Sequence, residues 1–198
     1  SSAIIGAMII APLMSPIMSL SYGLGSLKLD LLARSAFTAA SGAAIVVILS
    51  YLLTLIFGLR VVGSEIVGRT SPSLIDLGIA MAAGAAAAFA TTRSSIISSI
   101  AGVAIAVALV PPLAVTGIGL ATGDKGVTES GFSLSKIGLH SGGADIVSGS
   151  FLLFATNLVG IVLTAYVVLL AQGYAKRGKT FVGVIALVVV SMIILQPL

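Results

Sequence analysis

Six stretches of this chain are almost wholly apolar, and its charges stand between them or near their starts. The stretches are Ala3–Leu24, Leu31–Phe57, Leu74–Thr91, Ile96–Thr122, Ile146–Ala171 and Phe181–Leu195. A helix needs roughly 20 apolar residues to cross a hydrocarbon core about 30 Å thick. The pattern predicts an all-α integral membrane protein with about six transmembrane helices in a single transmembrane domain. Serine, threonine and asparagine do occur inside the spans. The longest gap, Gly123–Ala144, holds Asp124, Lys125, Glu129, Lys136 and His140, and reads as a solvated loop or surface hairpin.

Two of the six stretches are interrupted by proline. The first contains Ala11-Pro12-Leu13-Met14-Ser15-Pro16, and the fourth contains Val110-Pro111-Pro112-Leu113. Proline removes a backbone donor and clashes with the preceding turn, so each run is expected to break or kink there. In lipid the freed carbonyls must find partners inside the protein.

The interruptions correspond. Pro16 and Pro112 stand 96 residues apart, and the same offset pairs Gly6 with Gly102, Leu13 with Leu109 and Gly23 with Gly119. In the next stretch an offset of 115 pairs Asp30 with Asp145, Ser35 with Ser150 and Gly58 with Gly173. The difference falls in the long polar gap, where an insertion is best tolerated. This predicts two three-helix repeats, residues 1–92 and 93–198, the second with a polar insertion at about 123–144. Three spans per repeat turn the second copy upside down, the inverted arrangement of many secondary transporters. If the proline segments are re-entrant hairpins instead, the repeats run parallel.

Composition sharpens the membrane reading. Apolar residues make up 58% of the 198 and charged residues 8%, against roughly 25% charged in a soluble domain. Mean hydropathy is +1.23. There is no cysteine, which removes disulfides, thiolate nucleophiles and Cys-ligated metals. The net charge of +4 is scattered singly, so no basic block points to nucleic acid. With six crossings, Lys28, Arg34, Arg93, Lys176, Arg177 and Lys179 collect on one side. Arg60, Arg69, Lys125 and Lys136 collect on the other with five of the six acids. The positive-inside rule then places Ser1 outside. The chain opens on Ser1 directly into apolar sequence, and an upstream part is expected to be missing.

The segments Ile5–Pro16 and Gly102–Leu113 resemble the two signatures of a prokaryotic membrane family, the "uncharacterized hydrophobic domain" proteins, domain of unknown function 389. Leu74-Ile75-Asp76-Leu77 and Ala155-Thr156-Asn157-Leu158 also resemble segments of that family. The likeness covers nearly the whole chain and is weakest around Phe132–Gly143. It implies a multi-pass protein of the prokaryotic inner membrane, often with a soluble region and another span ahead of these residues. It implies no activity.

The residues themselves argue against an enzyme. The single histidine, His140, has no paired His or Cys, and neither G-x-S-x-G nor H-E-x-x-H occurs. Gly23-Leu24-Gly25 and Gly117-Ile118-Gly119 lack the remaining glycine of a dinucleotide turn and read as helix-packing positions. Asp30, Asp76 and Asp145 sit at helix starts, where a carboxylate favours the helix dipole; Ser73 with Asp76 reads as a capping pair. No cofactor or metal site is expected.

The deeper polar residues are better candidates. Asn157 stands mid-span, where an amide is costly unless paired. Ser15 lies beside the first proline break and Thr116 one turn beyond the second. Pro12, Ser15, Pro16, Pro111, Pro112, Thr116 and Asn157 form the candidate substrate-binding set. The expected function is a secondary transporter or channel-like protein for a small polar or anionic solute. Its site lies between two proline-broken helices, and facing helix N-termini there favour an anion. The alternative is a non-transporting membrane anchor or sensor coupled to an upstream soluble region. The partners expected are the lipid bilayer, that solute and no nucleic acid. The small-residue run Gly78–Ala88 is expected to be a tight packing helix or a homo-oligomer interface.

Overall fold

Helix starts and stops follow local chemistry throughout the computed structural model, which describes residues 13–26, 28–58, 61–62, 66, 68–91, 95–123, 127–128 and 143–174. Pro12, His140, most of the polar gap and the sixth apolar stretch, Phe181–Leu195, lie outside the described residues. Helix α1 is Met14–Ser26, α2 Leu29–Phe57, α3 Leu74–Thr91, α4 Ser95–Thr122 and α5 Gly143–Ala171. α2, α3, α5 and the Gly102–Thr122 part of α4 are long and apolar enough to cross a membrane.

Pro16 falls in the first turn of α1, where its missing N–H is no loss because that amide has no helical partner. The first turns of α2, α3 and α5 carry Asp30, Asp76 and Asp145, as expected for carboxylates at the positive end of a helix. Helices α2 and α5 are each 29 residues long, and each is followed by a glycine in the left-handed region, Gly58 at φ 61° and Gly173 at φ 82°. At the end of α5 the amides of Gly173 and Tyr174 donate to the carbonyls of Leu170 and Leu169, both at 3.0 Å. That pair of bonds satisfies the last carbonyls of the helix, and a Cβ at Gly173 would strain it.

The described chain gathers into two compact units, one from Ser1–Gly42, Leu74–Leu109 and Thr156–Leu198, the other from Ala43–Ser73 and Val110–Ala155. Each takes chain from both sequence halves, 1–92 and 93–198. The first unit holds α1, the first part of α2, α3, the first part of α4 and the second part of α5. Its core includes Ile17, Ala80, Ala87, Ile105, Leu109, Ile161 and Tyr166. The small residues Ala80, Ala83, Gly84, Ala87 and Ala88 make one buried face of α3. A Cβ built on Gly84 would lie 2.6 Å from Thr164 Oγ1 and 2.7 Å from Ile161 Cα of α5. The Gly78–Ala88 run therefore packs on the chain's own α5. Ile75, Ile79 and Phe89, on its other side, are exposed.

The second unit holds the end of α2, the second part of α4, the first part of α5 and a two-residue parallel ladder. In it β1, Val61–Val62, pairs with β2, Val127–Thr128. Helices here also meet through glycine. Gly117 lies against the Val47 carbonyl and Ser50 of α2, and Gly119 against Ile146 and Val147 of α5. The Gly-x-Gly of α4 is a packing device, as the sequence predicts.

One expectation is corrected. α4 is a single α-helix over Ser95–Thr122 with Pro111 and Pro112 inside it, so the fourth stretch is not split at Val110–Leu113. A proline pair is tolerated within a membrane helix when other groups satisfy the carbonyls it strands, and such a group is present.

Candidate functional site

A residue's carbonyl in an α-helix accepts from the amide four residues on. Pro111 and Pro112 have no amide hydrogen, so the carbonyls of Val107 and Ala108 lose their helical donors. Asn157 of α5 answers one of them, its Nδ2 donating to Ala108 O at 3.0 Å. Both groups belong to the first unit. That contact also fixes the amide's orientation, because a carbonyl can receive a bond only from the NH2 end.

The other end of the amide is left over. Asn157 is 3% exposed, and its buried Oδ1 accepts no hydrogen bond among the described residues. A buried acceptor without a donor costs about 1–3 kcal/mol. In a lipid-embedded bundle water cannot reach it freely, so this oxygen is an unusual feature to keep.

Thr116 and Ser150 form a second buried polar cluster, within the second unit. Their hydroxyls lie 2.9 Å apart. Thr116 Oγ1 is also 3.0 Å from Pro112 O, and Ser150 Oγ 2.6 Å from Ile146 O. Ser150 Oγ also lies 3.3 Å from Val147 O, so two hydroxyl hydrogens face four contacts: one hydroxyl donates to the other and the second donates back to its own helix. The cluster is neutral and ties α4 to α5.

Ser15 sits elsewhere. It is exposed on the wall of a half-open groove of about 540 Å³ in the first unit, with Met14, Met18, Tyr22, Thr91 and Tyr174. Neither Asn157 nor Thr116 lines that groove. Of the seven candidates, then, Ser15 faces the groove, while Pro16 is buried in the first turn of α1. Asn157 is buried on α5 in the first unit, and Pro111, Pro112 and Thr116 are buried in the second. Pro12 lies outside the described residues.

Two partners were missed in the sequence. Ala108 O follows from the proline rule, since position 108 is four before Pro112. Ser150 gives little signal because serine back-bonds to its own helix at small cost.

Residues 8–163 match the family model described as Domain of unknown function (DUF389). The chain belongs to this family. Every candidate site residue falls inside the match. The chain is similar to an uncharacterized protein of Methanocaldococcus jannaschii, 33% identical over 171 residues. The match covers 86% of this chain and 47% of that protein, so the chain spans about half the length of the curated relative. No solved structure matches this member of DUF389.

Proposed function

We propose that this chain is the membrane domain of a transporter or channel-like protein for a small polar solute, in a prokaryotic inner membrane. The observation that carries the proposal is Asn157, an amide buried on α5 with its Nδ2 bonded to a carbonyl stranded by proline and its Oδ1 unmatched. Polar groups inside membrane bundles are costly and mark solute or ion pathways.

Reading the two halves as an inverted repeat belongs to the same proposal, and matched positions in α2 and α5 support a repeat. Residues 115 apart play matching parts in α2 and α5: Asp30 and Asp145 in the first turns, Ser35 and Ser150 buried, and Gly58 and Gly173 in the left-handed region. The two units also draw on corresponding pieces. The first takes the start of α2 and the end of α5, the second the end of α2 and the start of α5. The preference for an anion is not carried over. It rested on helix N-termini exposed at two breaks, and α4 runs unbroken through its prolines.

Flux into proteoliposomes is the test. A panel of small polar solutes should include one that enters with the wild-type chain and is slowed at least tenfold by Asn157→Leu. A folded, reconstituted chain that moves none of them, with Asn157→Leu indistinguishable from wild type, defeats the proposal. The second reading, an anchor or sensor domain, is favoured by one observation: about half of the archaeal relative lies outside the match. It predicts no flux, and ligand binding confined to such an additional region.

A further inference from the structure

We infer that Asn157 offers an acceptor-only locus, and that the solute taken there is a small molecule or cation that donates hydrogen bonds, not an anion. The inference rests on the transport reading for its biological sense but not for its test.

The chemistry follows from which atoms are committed. The donor end of Asn157 is engaged by Ala108 O at 3.0 Å. Its free end is an amide oxygen, which can only accept. One residue before Ala108, the carbonyl of Val107 has also lost its helical amide, to Pro111. The leftover group, Asn157 Oδ1, is therefore an oxygen with negative partial charge, and so is any carbonyl that the prolines deprive of its amide. Phosphate, sulfate or a carboxylate brought to such oxygens meets repulsion and leaves them unsatisfied. A species carrying N–H or O–H groups satisfies them, and a positive charge is attracted besides. No carboxylate is needed for this: carbonyl oxygens alone can replace the hydration of a monovalent cation. Ammonium is the smallest probe with both properties.

Asn157 is the single asparagine among the 198 residues. Labelling asparagine with ¹³C and ¹⁵N in the side-chain amide therefore reports on this one site in the intact chain. The labelled protein in lipid nanodiscs is titrated with ammonium chloride, and separately with sodium chloride and sodium sulfate at matched ionic strength. Asn157→Leu serves as the control in which the signal vanishes.

The carboxamide carbon should shift saturably with ammonium and stay unmoved by sulfate. An amide indifferent to ammonium overturns the inference, and so does one that responds to sulfate. A resonance exchanging magnetisation only with water, with no response to either salt, counts equally against it. Pro112→Ala supplies a second readout. It returns a helical amide to Ala108 O and frees Nδ2, so this variant should acquire a sulfate response that the wild type lacks. Binding without flux would leave this inference standing while the transport reading falls.

Discussion

The hydroxyls of Thr116 and Ser150 share one hydrogen bond of 2.9 Å between α4 and α5, in a cluster with fewer hydrogens than contacts. Such a bond is worth modest energy in a membrane bundle. Thr116→Val, Ser150→Ala and the double variant should give a coupling of about 0.6 kcal/mol, up to about 1.7. Chemical unfolding in detergent reads it. A coupling of zero would mean that each hydroxyl is content with its own helix.

Two glycines of α3, six positions apart, should respond to alanine with opposite signs. A Cβ on Gly84 meets Ile161 and Thr164 of α5, whereas nothing lies within 4 Å of one on Gly78. Gly84→Ala should destabilise by about 1–3 kcal/mol through overpacking. Gly78→Ala should be neutral or stabilise by about 0.5–1 kcal/mol, because glycine loses more freedom in a helix. Equal melting temperatures for the two variants would show that α3 does not pack as described.

Asn157 and Pro112 should prove coupled although they are not a side-chain pair. Asn157→Leu leaves Ala108 O without a donor, but in a Pro112→Ala background the helix supplies one. The cost of Asn157→Leu should then fall by about 0.5–1.5 kcal/mol, the net worth of one hydrogen bond. An unchanged cost in both backgrounds would separate the proline from the amide.

The absence of cysteine makes topology directly measurable. Single cysteines at Lys28 and Arg69 flank α2 and should label from opposite faces, Lys28→Cys from the cytoplasm. Labelling of both from one side is incompatible with α2 as a span.

Much of the helical framework was legible because boundaries carry explicit signals. Ser73 followed by Asp76 gave α3 its start at Leu74, and the apolar run ending at Phe57 gave α2 its end. The continuity of α4 was misread, since proline chemistry was weighed without its rescuer. Asn157, singled out for its depth, was itself that rescuer. The ladder between Val61–Val62 and Val127–Thr128 left no trace in the sequence. Two-residue strands have no periodicity to read, and their pairing joins distant parts of the chain.

The modest length of α3 has a consequence for the lipid around the protein. Its 18 residues rise about 27 Å, while the 29 of α2 or of α5 rise about 43 Å. The longer helices can tilt or extend into the headgroups, but α3 barely matches the hydrocarbon of an average bilayer. Among the described spans, bilayer thickness is therefore felt first at α3. Long-chain lipids would draw its polar ends, Asp76 at one and Thr91 at the other, toward the oil, or force the membrane to thin around them. Acyl-chain length thus becomes a control variable for this protein, acting through the shortest candidate span among the described residues.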